Sequence, residues 1–332
     1  MMKKKMAVVL LASMIMSLGV GCGNGASGEN TSLNGATKED AKKVAIVQYV
    51  EHPSLDTIRE STIKSLEAQG FVEGENIVIE YQNAQADQSN LNSIAGKFVG
   101  EQVDVIVAIA TPAAQAMASA TSDIPIIFSA VTDPVGARLV EDLNNPAGNV
   151  TGTSDAIPVD QMFELCKALT PDVKTFGFLY TANETNSQSV INEAKEIAGD
   201  YGFKFEESTI TATNELQQAA EILASKVDAI YVPIDNGIAL AMPILSEVGK
   251  QAGIPVYVGA DSMVQDGGYA TVGINYEDLG TKTGEMVAEV LNGTSPADMP
   301  VETLDDFYKV INQTTAKAIG APAEAEGTTI VE

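Results

Sequence analysis

The chain has 332 residues, 45% of them hydrophobic, and a mean hydropathy near zero, enough for two cored domains and too polar for a polytopic membrane protein. Nineteen Lys and Arg against 45 Asp and Glu give a net charge of −26, which repels a phosphate backbone and argues against nucleic acid as a partner. One His and two Cys are too few for a His/Cys zinc site or a disulfide framework, so neither metal nor cofactor is expected.

Lys3, Lys4 and Lys5 precede an apolar run from Met6 to Val20, followed by Gly21 and Cys22. A charged start, an apolar stretch and a small-residue end make an export leader, and the run falls short of the roughly 20 residues that cross a bilayer. Val20-Gly21-Cys22 resembles the lipobox of bacterial lipoproteins, which implies an acylated Cys22. Gly19 stands where that motif usually has Leu. Cleavage after residue 21 removes three Lys and leaves 16 basic against 45 acidic groups, or −29. The Gly-, Ser- and Asn-rich segment 22–41 reads as a tether. Its Gly23-Asn24-Gly25-Ala26-Ser27-Gly28 satisfies G-x-G-x-x-G but lacks the flanking strand and helix that a dinucleotide site needs.

From Lys43 onward short β-branched runs alternate with segments of helical period, the pattern of βαβ units. Strands are predicted at 44–50, 77–81, 103–109, 124–128 and 149–153. A second series follows at 175–180, 204–207, 227–232, 255–258 and 269–274, with a late strand at 308–311. Helices are predicted at 55–68, 88–99, 159–169, 187–198, 215–224, 238–252 and 278–291. The second series echoes the first: Val103-Asp104-Val105-Ile106-Val107 is matched by Val227-Asp228-Ala229-Ile230-Tyr231. The fold class is therefore α/β, two doubly wound parallel-sheet lobes joined by a multi-segment hinge near 154–158, 273–276 and 300–306. Lobe one takes 42–156 and 275–303, and lobe two 157–274 and 304–332.

Ligands of such sheets bind beyond the carboxyl ends of the strands. In lobe one those loops hold Glu51, His52, Asn83, Thr111, Pro112, Ala113, Asp133, Thr153, Ser154 and Asp155. Lobe two supplies Glu184, Asn186, Asp235, Asn236, Asp261 and Tyr276. Thr111-Pro112-Ala113 is a helix-start signal with Thr at N-cap, whose free N–H groups suit a carboxylate. None of these loops carries Lys or Arg, so an anion must rest on backbone and hydroxyl donors while the acids face an ammonium. A zwitterion fits better than an acid. Taken singly, each acid also suits a helix cap or turn. The lone His52 lacks a positioned nucleophile and reads as a loop or ligand-contact residue rather than a general base. Cys166 lies at helical spacing among Met162, Phe163, Leu165 and Leu169, which marks it as core.

Glu51-His52-Pro53-Ser54-Leu55-Asp56, Asn83-Ala84-Gln85, Ala110-Thr111-Pro112-Ala113-Ala114-Gln115, Val131-Thr132-Asp133-Pro134, Gly148-Asn149-Val150-Thr151-Gly152, Asn183-Glu184 with Asn186-Ser187, and Pro233 with Asp235-Asn236 together resemble the tryptophan/tyrosine-type substrate-binding proteins of ABC transporters. The resemblance runs from about Lys43 to about Ala316. It implies a type I periplasmic-binding-protein fold, a monomeric lipid-anchored receptor outside the cytoplasmic membrane, no enzymatic activity, and an aromatic amino acid delivered to an ABC permease and ATPase. Thr111 and the N–H groups after it would receive the α-carboxylate. The Asp155, Glu184, Asp235 and Asn236 loops would share the amino group, and Tyr49, Phe128, Tyr257 or Tyr276 would wall the ring. A ligand sensor of the same fold and an α/β enzyme acting on a small metabolite remain alternatives.

Overall fold

The computed structural model describes residues 41–332. The leader, Cys22, the tether and the glycine motif at 23–28 lie outside the described residues. The first series comprises β1 (Lys42–Gln48), α1 (Pro53–Ala68), β2 (Ile77–Asn83), α2 (Gln88–Glu101), β3 (Val105–Ile109), α3 (Thr111–Ala120), β4 (Ile126–Ser129) and β5 (Val150–Ser154). The second comprises α4 (Val159–Leu169), β6 (Thr175–Thr181), α5 (Thr185–Ile197), β7 (Lys204–Ile210), α6 (Leu216–Ala224), β8 (Ala229–Val232), α7 (Asn236–Ala239), α8 (Met242–Ala252), β9 (Val256–Val258), α9 (Asp261–Gln265) and β10 (Ala270–Gly273). The chain continues through α10 (Tyr276–Leu291), β11 (Glu302–Thr303), β12 (Tyr308–Asn312), α11 (Gln313–Ile319) and β13 (Thr328–Val331).

Two sheets result, ordered β11-β5-β4-β3-β1-β2 and β13-β12-β10-β9-β8-β6-β7. All pairings among the described strands are parallel except that of β10 with β12. Every residue of β3 and β4 is buried, as expected of parallel strands covered by helices on both faces. Within each sheet the first strand of the series lies between the second and third. The winding direction therefore reverses between β1 and β3, and again between β6 and β8. A crevice opens at each reversal because the helices leave on opposite faces.

The echo between the two series has a structural cause. Asp104, just before β3, accepts the backbone N–H of Lys43 at 2.7 Å. Asp228, just before β8, accepts those of Lys174 and Thr175 at 2.9 and 2.8 Å. In both sheets the same carboxylate ties the entry of the third strand to the entry of the first.

Three connections cross between the sheets, at 155–158, 274–275 and 304–307. After the second crossing, α10 packs along α1. A Cβ on Gly280 would stand 2.5 Å from the Ile58 carbonyl, and one on Gly284 would stand 2.5 Å from Cβ of Ser65. The close approach lets Thr62 and Ser65 donate hydroxyl hydrogen bonds to the carbonyls of Gly280 and Thr281, at 3.1 and 2.9 Å.

Several local expectations differ from the structure. The single helix predicted over 238–252 divides into α7 and α8, because Pro243 lies in the first turn of α8 and its ring cannot follow an uninterrupted helical turn. The short β11 and β13 carried too little periodicity to stand out. Thr111 is the first helical residue rather than the cap. Ala110 takes the cap position with φ of 79°, a backbone region that normally favours glycine. Cys166 is buried in α4, as predicted, and its surroundings push the thiol up to about 11.

Candidate functional site

Helix starts follow the strand ends, so both sheets direct helix N-termini towards the space between them. His52 caps α1, Ala110 caps α3 and Ala260 caps α9. Asn186, Asn236 and Tyr276 sit in the first turns of α5, α7 and α10. All six line a cavity whose remaining polar wall is Ser54, Thr132, Asp155 and Asp235. His52 and Ala110 flank the winding reversal of the first sheet, while Asn186 and Asn236 flank that of the second. The cavity left between these residues is only about 10 Å³, room for about one water, so the lobes must part to admit a ligand.

Two carboxylates in this region are consumed by their own lobe. Glu184 accepts from the N–H groups of Asn236 and Gly237 at 3.0 and 2.9 Å, and from the amides of Asn236 and Asn186 at 2.6 and 3.2 Å. Asp235 accepts from Thr181 N–H and Oγ1, both at 2.7 Å, from Ser187 Oγ at 2.8 Å and from Ile238 N–H at 2.9 Å. Burial pushes both groups upward, and for Glu184 the neighbouring Asp235 adds to it. Asp235, with two donors on each oxygen, has no lone pair left, and Glu184 takes three donors on Oε2 and one on Oε1, all from its own lobe.

Asp155 is different. Its Oδ1 accepts from Thr132 Oγ1 at 2.8 Å, and that is the carboxylate's sole side-chain donor among the described residues. Burial pushes it up to about 6, against the opposing effect of the Thr132 hydroxyl. Three further side-chain atoms are buried without a hydrogen-bond partner among the described residues: His52 Nδ1, Thr111 Oγ1 and Asn186 Oδ1. A native interior rarely leaves such groups unpaired, since each costs about 1–3 kcal/mol. Burial lowers His52 to about 4, outweighing the charge of Asp56, so the imidazole is neutral.

The apolar wall comes from Leu55, Ala110 and Ala130 on one side and Ile234, Ala239 and Met263 on the other. Ala110 and Ala130 both have positive φ, 79° and 54°. Strain of this kind, about 1–3 kcal/mol per residue, concentrates where function demands a particular backbone.

Residues 43–324 match the family of ABC transporter substrate binding proteins. The chain belongs to that family. The substrate-binding protein is 43% identical over 321 residues to a tyrosine-binding protein of Clostridioides difficile (strain R20291), covering 96% of this chain and 92% of that one. An ABC domain in complex with L-Trp from Streptococcus pneumoniae superposes with a TM-score of 0.84 at 41% identity, over 88% of this chain and 100% of that one. A ligand-free, open substrate-binding protein with adhesive properties from Clostridium difficile is 46% identical over 88% of this chain and 99% of that one, yet reaches only 0.69. Higher sequence identity with lower structural similarity places these lobes nearer the ligand-bound arrangement than the open one. The fold is that of type I periplasmic binding proteins, as expected. Proteins of this family serve outside the cytoplasm, and no described helix is long and apolar enough to cross a membrane.

Of the residues picked out by strand-end position in this substrate-binding protein, His52, Asp155, Asn186, Asp235, Asn236 and Tyr276 meet at the cavity. Thr111, Pro112 and Ala113, which follow Ala110 in α3, are buried and do not themselves line the cavity. Others stand elsewhere, for identifiable reasons. Glu51 is exposed, and Asn83 receives the N–H of Gln85 in its own turn. Asp133 caps the turn to Gly136. Thr153 bonds Ser129 and Thr283 inside lobe one, and Ser154 donates to the Thr132 carbonyl. Glu184 lies behind Asn236, and Asp261 accepts from Ser262 N–H and from Tyr308 Oη. Among the four aromatic candidates, Tyr276 alone lines the cavity. Phe128 and Tyr257 are wholly buried, the latter against Thr170 and Tyr269. Tyr49 donates to the Ala86 carbonyl at 3.3 Å. The apolar wall residues Leu55, Ile234 and Met263 were missed because the apolar wall was sought among aromatic residues at strand ends.

Proposed function

We propose that the protein is an extracytoplasmic receptor that closes its two lobes over an aromatic amino acid and presents the closed form to an ABC permease and its ATPase, held near them by a lipid on Cys22. The observation that carries the ligand class is the unpaired polar set on the cavity wall and at the start of α3 beside Ala110. Asp155 meets the ammonium, joined by Asn186 Oδ1. Thr111 Oγ1 and the free N–H groups of Thr111 and Ala113 at the start of α3 receive the carboxylate. The apolar wall and Tyr276 hold the side chain. Tyrosine and L-tryptophan in the relatives' names support the same class. The three crossings act as the hinge, and a closed shape that only a liganded receptor holds gives the permease its signal.

The chain contains no Trp, so indole fluorescence in the purified protein has to come from a ligand. Calorimetric titration of stripped protein with tryptophan, tyrosine and phenylalanine is expected to give saturable binding. Thr111→Val is expected to weaken it about tenfold by removing one hydrogen bond to charge, while the melting temperature of the ligand-free protein is not lowered, since a buried unpartnered hydroxyl is removed. Absence of binding by all three amino acids would reject the assignment.

A further inference from the structure

The hydrogen-bonding groups of the cavity exceed what the amino-acid end of a ligand can use. In the first sheet the groups stand in strand order: Asp155 follows β5, Thr111 follows β3 and His52 follows β1. Strands pack about 4.8 Å apart, so the β5 and β3 columns are separated by about 10 Å, a span that an ammonium and its own carboxylate bridge with one hydrogen bond at each end. The β1 column lies a further strand away, about 14 Å from β5, beyond the reach of that same ammonium. His52 Nδ1 is buried and unpartnered there.

The polarity of that nitrogen follows from its neighbours. Asn236 gives its main-chain N–H and one side-chain N–H to Glu184. The interaction of the imidazole with Asn236 favours a proton on the histidine, and because Nδ1 has no partner that interaction falls to Nε2. The ring proton is assigned to Nε2, and Nδ1 presents a lone pair to the cavity. A neutral imidazole fixed in this tautomer can accept a hydrogen bond and cannot give one at that atom.

We infer that His52 Nδ1 selects the ligand's side chain, accepting a hydrogen bond from a donor on the ring, the phenol O–H of tyrosine or the indole N–H of tryptophan, and so disfavours phenylalanine. The inference rests on the reading that the cavity takes an aromatic amino acid. Closure over phenylalanine strips water from Nδ1 and returns nothing, whereas closure over tyrosine or tryptophan replaces the water. Sites built to hydrogen-bond a ligand group discriminate strongly against the analogue that lacks it.

The test is calorimetric titration of stripped protein with the three amino acids, on the wild type, His52→Leu and His52→Gln. The wild type is expected to bind tyrosine or tryptophan at least about tenfold more tightly than phenylalanine. His52→Leu brings the three affinities together while phenylalanine binding is retained or improved. His52→Gln, which restores an acceptor, recovers part of the preference, and it keeps the question decidable if the Leu variant fails to fold. Equal weakening of all three ligands in the variants would place His52 at the amino-acid end and overturn the inference, as would a wild type without preference. Binding of none of the three would instead overturn the ligand class itself.

Discussion

Asp155 is the residue whose titration should be visible in binding. Its folded value, about 6, lies above the ordinary 3.8, so the closed protein without ligand holds a proton more tightly than the unfolded chain does. Its contribution is unfavourable above pH 4 and grows until about pH 6, where it reaches about 3 kcal/mol at 1.36 kcal/mol per unit. A bound ammonium reverses the preference, because it stabilises the carboxylate. Affinity is expected to rise with pH up to about 6 and to level off above it. Asp155→Asn should lose that part of the dependence and weaken binding about 100-fold, since a charge-assisted contact is removed. Titrations of the two proteins from pH 4.5 to 8 check this, and parallel curves would remove Asp155 from the ammonium site. The charge sense of the loops was readable from residue type. Which acid is free was not, because Glu184 is held by Asn236, Gly237 and Asn186, partners that only folding brings to it.

Helices and strands were mostly readable, because each carries its own period and boundaries. Their partners were not. The periodicity of 278–291 marks a helix, and the lobe assignment returned it to the first series, but nothing in the sequence said that it lies along α1. The glycines at 280 and 284, opposite Ser61 and Ser65, show what that packing requires: one face of each helix without bulk. Gly284→Val is expected to force the helices apart, costing about 3 kcal/mol and lowering the melting temperature by about 6 °C. An unchanged melting curve would contradict the packing. The division of α7 from α8 belongs to the same scale. The apolar period continues across residues 238–252, and Pro243 overrides it through backbone geometry.

Across the whole molecule, the closed arrangement is held in part by contacts between lobes. Ser54 Oγ and Ser262 Oγ lie 2.8 Å apart in buried surroundings, and Gln115 reaches Thr185 at 3.4 Å. Ser54 precedes the first crossing and Ser262 follows it, so this bond exists only when the lobes meet. Ser262→Ala is expected to shift the ligand-free protein towards the open form and to reduce apparent affinity several-fold, by lowering the fraction that is competent to close around ligand. Small-angle scattering should show a larger radius of gyration for the ligand-free variant than for the wild type, converging when ligand is saturating. Equal radii without ligand would argue against the contact as a latch.

Composition and local pattern were sufficient for the α/β class, the duplicated lobes and the acidic, cation-poor character of the strand-end loops, since those properties reside in neighbouring residues. The tertiary structure decided which loop residues face one another. Asp155, Thr111 and His52 come from three strands of one sheet, and Asn186 and Asn236 face them from the other. A hydrogen bond is made or left unmade over a few tenths of an ångström, and residues far apart in the chain reach that distance only when the whole chain is packed.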